Sequence, residues 1–143
     1  MGQQQLLLLI LGVIVVAVST LAGIIAFDQN RIKSNGDQLV VDGIRIATDA
    51  QAWFYKGTSH GGGSGSFEGL SLERIGWRTN GDGEYENSYG TWSIPPASIE
   101  RGRFLLEGTA VGDPPFNTIC VRVLGSTPND IAAELNPETC SLD

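Results

Sequence analysis

The chain has one histidine, two cysteines and nine Lys/Arg against sixteen Asp/Glu, and each shortage closes off a class of function. Nucleophilic catalysis needs a histidine or an equivalent base held beside a Ser or Cys. His60 stands in the run Thr58-Ser59-His60-Gly61-Gly62-Gly63, a poor place to hold geometry, and the carboxylates are scattered. The expectation is therefore that the chain is not an enzyme and carries no cofactor. Two cysteines and one histidine do not complete a structural zinc site. A net charge of −7 speaks against nucleic acid as a primary partner, because that affinity rests on Lys/Arg neutralising phosphate. It speaks equally against a head lying on anionic lipid.

Two further absences are local. No proline occurs before Pro95, and no charged side chain occurs before Asp28. Residues 6–27 read LLLLILGVIVVAVSTLAGIIAF, with Ser19 and Thr20 the only polar side chains. As a helix rising about 1.5 Å per residue this stretch spans roughly 33 Å, against a bilayer core of about 30 Å. It lacks a basic region before it and exceeds the 7–15 apolar residues of a signal peptide, so it is expected to be retained. The acidic Asp28 and Asp37 and the cysteine pair favour an exported head; Arg31 and Lys33 just after the span favour the reverse.

The helical period resumes after a polar collar, residues 28–38, which contains Asn35-Gly36 and leaves open a break there. Leu39, Gly43, Ile46, Ala50 and Trp53 fall on one stripe, with Val40, Ile44 and Ala47 beside it. Asp42, Arg45, Asp49 and Gln51 are expected on the exposed surface. Lys56-Gly57 reads as a basic last turn with a C-cap glycine. One helix is thus expected to run from an apolar half, residues 1–27, into an amphipathic half, residues 28–56.

Residues 57–66 read as a flexible Gly/Ser loop, with neither a preceding strand nor a following Gly-Lys-Ser/Thr to make it a phosphate cradle. Residues 67–143 read as a small antiparallel sheet of about four strands, at residues 67–79, 84–94, 103–110 and around Ile119, Val121 and Val123. Asn80-Gly81-Asp82-Gly83 is a hairpin turn signal. Thr127-Pro128-Asn129-Asp130 resembles a capped helix start and predicts a short helix over 129–135. The fold class expected is α+β, with the stripe Leu39, Ile46, Ala50 and Trp53 packed on the sheet. If Cys120 and Cys140 pair, they close a loop of about 20 residues worth roughly 3 kcal/mol; two free buried thiols are the alternative. Asn80, Asp82, Glu84 and Glu86 resemble a fragment of a calcium loop but read better as a turn with solvated acids. Trp53, Trp77, Trp92, Tyr85 and Tyr89 read as core aromatics, with sugar-binding rings as the alternative.

An apolar helix running into an amphipathic half, then a glycine-bearing loop, an antiparallel sheet and a C-terminal cysteine-bounded loop: this order resembles the type IV pilin family. Residues 46–67 are also similar to a group of pilin-like bacterial proteins that open Met-Gly-Gln-Gln-Gln-Leu. The resemblance implies a subunit held in the inner membrane by its apolar half-helix before assembly, then bundled in the core of a helical homopolymer on the cell surface. The filament-core residues it implies are Leu6, Leu9, Ile10, Gly12, Val13, Val16, Ala17, Leu21, Gly23 and Ile24. The partners it implies are further copies of the chain and a pilus assembly machinery, and it makes Cys120–Cys140 a disulfide. Where the family has a Glu at the fifth mature position, this chain has Gln5, which accepts a hydrogen bond but cannot neutralise a neighbour's amine. The readings set beside it are a minor pilin or pseudopilin of a secretion or uptake machine, and a monomeric membrane-anchored binding module.

Overall fold

A computed structural model describes residues 2–112 and 117–142. The helix α1 spans Gly2–Tyr55 and includes Asn35-Gly36 without interruption. Two compact units divide after Ser34.

In the first unit Ile32 is half-buried and the other described residues of α1 are exposed, the most apolar window wholly so. Its two hydroxyls are satisfied within the helix. Ser19 Oγ donates to the Val15 carbonyl at 2.7 Å and Thr20 Oγ1 to the Val16 carbonyl at 2.8 Å. Such back-bonding leaves no unpaired side-chain donor along residues 6–27, which is what a helix crossing hydrocarbon requires.

In the second unit α1 covers one face of a five-stranded antiparallel sheet whose strands follow chain order: β1 Tyr85–Glu86, β2 Gly90–Ser93, β3 Phe104–Ala110, β4 Thr118–Val123 and β5 Ile131–Leu135. Alternation along β3 and β4 sets the core. Phe104, Leu106 and Gly108 stand opposite Val123, Val121 and Ile119. Together with Trp92 they meet Leu39, Ile46, Ala47, Ala50 and Trp53, all buried in one cluster. Val40 packs at its margin, while Ile44 is exposed. Phe67 completes the cluster, stacked 4.7 Å from Phe54 and 4.9 Å from Phe104 between ring centroids.

Four local expectations are corrected. Residues 67–79 form consecutive turns instead of a strand. Gly69 and Gly76 adopt positive φ, and the Leu70 amide bonds the Phe67 carbonyl, so Phe67, Leu70 and Leu72 reach the core without alternating. The expected strand at 84–94 is itself a hairpin, β1 and β2. The side chain of Asn87 accepts from the amides of Tyr89 and Gly90 and turns the chain there. The helix expected over 129–135 stops after a single 3-10 turn, Pro128–Asp130, and continues as β5. A helix of seven residues carries the full nucleation cost, whereas pairing from Ile131↔Val123 to Leu135↔Ile119 satisfies the edge of β4. The sheet therefore has five strands, not about four.

The fourth correction concerns the loop after α1. Gly57 is extended (φ −65°, ψ 150°) and not a left-handed cap. The open carbonyls at the helix end are met by the Gly/Ser loop folding back: Gly63 donates to Trp53, Gly65 to Phe54 and Ser64 to Lys56. Trp53 Nε1 in turn donates to the Gly61 carbonyl at 2.8 Å. Residues 57–66 are thus tied to the helix along their length.

At Gly43 the helix comes close against the sheet. A Cβ there would lie 2.8 Å from the Trp92 ring and 2.9 Å from Val121 Cγ2. Gly43→Ala should lower the unfolding free energy of the detergent-solubilised chain by about 1–3 kcal/mol through overpacking, despite alanine's better helix propensity. Gly12→Ala, where a Cβ meets nothing, should be neutral or stabilising by up to about 1 kcal/mol. Denaturant titration of both variants checks the contrast.

Candidate functional site

Three groups of residues carried the functional expectations, and the structure places them in different settings. The helix-to-sheet group, Leu39, Ile46, Ala50 and Trp53, lies inside the core. The filament-core group, Leu6, Leu9, Ile10, Gly12, Val13, Val16, Ala17, Leu21, Gly23 and Ile24, lies exposed along the first unit. These residues lie along one half of the helix; Leu7, Leu8, Leu11, Ile14, Val15, Val18 and Ile25 on the other half are as exposed, so the surface is a cylinder of aliphatic side chains rather than a stripe.

The third group, Cys120 and Cys140, forms a disulfide with Cα atoms 5.6 Å apart. Cys120 sits in β4 on the face away from α1, between Glu107 on β3 and Glu134 on β5. It is fully buried although it points away from the main cluster. The bond draws the C-terminal tail over that face. Arg122 fixes it further: its Nε donates to the Ser141 carbonyl at 2.6 Å and its Nη1 to Glu134 at 2.9 Å. A disulfide of this kind points to an oxidising environment.

Polar side chains assigned to the exposed surface of α1 turn out to be structural anchors. Gln51 is buried, and its Nε2 donates to the carbonyls of Gly125 (3.1 Å) and Thr127 (2.7 Å), which holds the β4–β5 connection on the helix. Asp42 accepts from Asn87 Nδ2 at 2.9 Å and so ties the β1–β2 hairpin to the helix. Asp49 accepts from Trp77 Nε1 at 3.0 Å, while Arg45 lies over the same ring. Their positions flanking the apolar stripe are legible in the sequence; the partners, which come from distant loops, are not.

The ring and turn residues resolve as follows. Trp53 and Trp92 are buried, Trp77 and Tyr85 pack edge to face and half-buried, and Tyr89 is exposed. Asn80 Oδ1 accepts from the amides of Asp82 and Glu84 at 3.0 Å each, so that oxygen is spent in forming the turn. Among the described residues no three His, Cys, Asp or Glu side chains gather as metal ligands. His60 is exposed in the 3-10 turn Thr58–His60.

Two measurements test the cysteine-bounded region. Replacing Cys120 and Cys140 by Ser should lower stability by roughly 3 kcal/mol, seen as an earlier denaturant midpoint. The Thr127 hydroxyl, and after it the Thr127 amide, hold the Asp130 carboxyl below the usual carboxylate range. The sign follows from linkage. The contact contributes fully above the unfolded carboxyl value and is lost as pH falls through the lower folded value. Carboxyl-carbon NMR should show Asp130 titrating below free aspartate, and Thr127→Val should move it upward.

Searches among family models, curated proteins and solved structures match this chain to none of them.

Proposed function

We propose that the chain is a structural subunit of an extracellular filament of the type IV pilus kind. In this reading the N-terminal helices bundle in the core and the sheet heads lie outside. One observation carries it: the apolar stretch of α1 is exposed on every side, while further along the same helix residues 39–53 form part of a folded core. Exposed aliphatic surface is costly in water at about 25 cal/mol per Å². A bilayer relieves that cost before assembly, and packing against identical helices relieves it afterwards. Head-to-tail contacts that do not close into a ring then propagate as a filament. The subunit would be a single-pass inner-membrane protein until an assembly machinery extracts it.

Electron microscopy of filaments sheared from the cell surface, with intact-mass spectrometry of the subunit, tests the reading. Val15→Asp should abolish the filaments while the head keeps its fold, because a carboxylate cannot be buried unpaired in the bundle. Filaments that persist in this variant would remove the core-packing basis of the proposal. A protein that stays monomeric in the membrane fraction would instead be an anchored module.

A further inference from the structure

A groove of about 730 Å³ opens on the head beside the β1–β2 edge of the sheet. Its floor is apolar: Leu70 and Leu72 from the turns after Phe67, and Ile94, Pro95 and Ile99 from the segment leaving β2. Its rim carries Glu68, Asp82 and Glu84. None of these three carboxylates is paired with a cation among the described residues, whose ion pairs are Arg103–Glu100 and Arg122–Glu134. Arg74 comes close to this side of the head, with its guanidinium against Gly69.

The construction of the groove is fixed from several sides. The Asn80 side chain locks the turn that presents Asp82 and Glu84. Ser66 Oγ accepts from the Glu68 amide and sets where that carboxylate leaves the chain. On the far side, Pro95 and the 3-10 turn Pro96–Ser98 stiffen the wall, with Ser98 donating to the Pro95 carbonyl from both its amide and its hydroxyl. The ladder between β1 and β2 ends at Tyr85↔Trp92, and Ser93 and Ile94, which follow, line this space opposite Glu84. The volume lies within the range of about 300–1,000 Å³ usual for ligand sites.

We propose that this groove binds an extended basic peptide segment whose aliphatic side chains seat on the floor while its Lys or Arg side chains meet the three rim carboxylates. Charge complementarity selects the occupant. An acidic chain would be repelled, and a purely apolar one would leave the rim acids beside it without counter-charges. The proposal is independent of the filament reading, since a monomeric anchored head would present the same groove.

The test uses the full chain in a neutral detergent and fluorescein-labelled, end-blocked pentapeptides read by anisotropy. Lys-Val-Lys-Val-Lys should bind, and should weaken on raising salt from about 50 mM to about 0.5 M as the Debye length shrinks. Glu-Val-Glu-Val-Glu should not bind, and Lys-Ser-Lys-Ser-Lys should bind more weakly than the valine peptide. The triple variant Glu68→Gln, Asp82→Asn, Glu84→Gln should lose about tenfold or more in affinity. Asp28→Asn, Asp37→Asn, Glu138→Gln removes the same formal charge at residues that do not line the groove and should retain it. The proposal is overturned by no binding of the valine peptide, by equal binding of the serine peptide, or by equal losses in the two triple variants.

Discussion

The head depends on how closely a helix backbone can approach a sheet. Trp92 occupies the centre of β2, and its ring fits only because glycine lies on either side of it, Gly43 on α1 and Gly108 on β3. Glycine inside a helix costs roughly 1 kcal/mol relative to alanine, and a glycine in a strand gives up a side chain that could pack. Here both losses are offset by one large ring that fills the space of three side chains. Gly36 repeats the arrangement one stretch earlier, where a Cβ would come within 3.1 Å of Leu135 and 3.3 Å of Asn117. The Trp92 indole N–H has no hydrogen-bond partner among the described residues, so packing is what holds the ring there. Gly36 and Gly43 on α1 therefore set how closely the helix sits on β2, β4 and β5, whose side chains they meet.

Around that contact three polar side chains of α1, Asp42, Asp49 and Gln51, act as fasteners. Asp42 reaches the β1–β2 hairpin through Asn87, Asp49 reaches the turns after Phe67 through Trp77, and Gln51 reaches the β4–β5 connection. Each joins the helix to a different irregular segment, and none joins it to a strand interior. The strands are positioned by apolar packing, which tolerates sliding; the loops are positioned by directional bonds, which do not. This division explains how a head with short strands, two of them at exposed edges, holds a single register.

What was legible in the sequence follows the same division. The stripe from Leu39 to Trp53 and the alternation of Ile119, Val121 and Val123 are periodic, and periodicity survives into burial because it is a property of the isolated element. The disulfide between Cys120 and Cys140 was readable as one of two alternatives. Residues 67–79 were misleading because their aromatic and aliphatic content suits a strand, while Gly69 and Gly76 impose turns that composition does not reveal. Residues 131–135, Ile-Ala-Ala-Glu-Leu, favour a helix locally and become β5 because β4 offers an unpaired edge, a tertiary fact. Gln51 looked like a surface residue because its acceptors, the carbonyls of Gly125 and Thr127, lie in a loop that no local pattern brings near. The groove was invisible for a similar reason, since its rim acids come from two segments separated by Trp77.

The second face of the sheet has a different solution from the first. Leu105 and Cys120 are buried on it, yet no helix covers them. The cover at Cys120 is the tail, attached by the disulfide and by Arg122 through Ser141. A short irregular segment buries too little apolar area to hold itself on a sheet against its own conformational entropy. A covalent bond removes much of that entropy cost in the unfolded chain, and a charge-assisted bond from Arg122 then orients what remains. The two faces are thus closed by opposite means. Area closes the helix side, where a long rigid element presents a continuous stripe, and covalent attachment closes the tail side, where the sequence offers no such stripe. It follows that reduction should loosen the tail face first, while the packing of Trp92 between Gly43 and Gly108 persists.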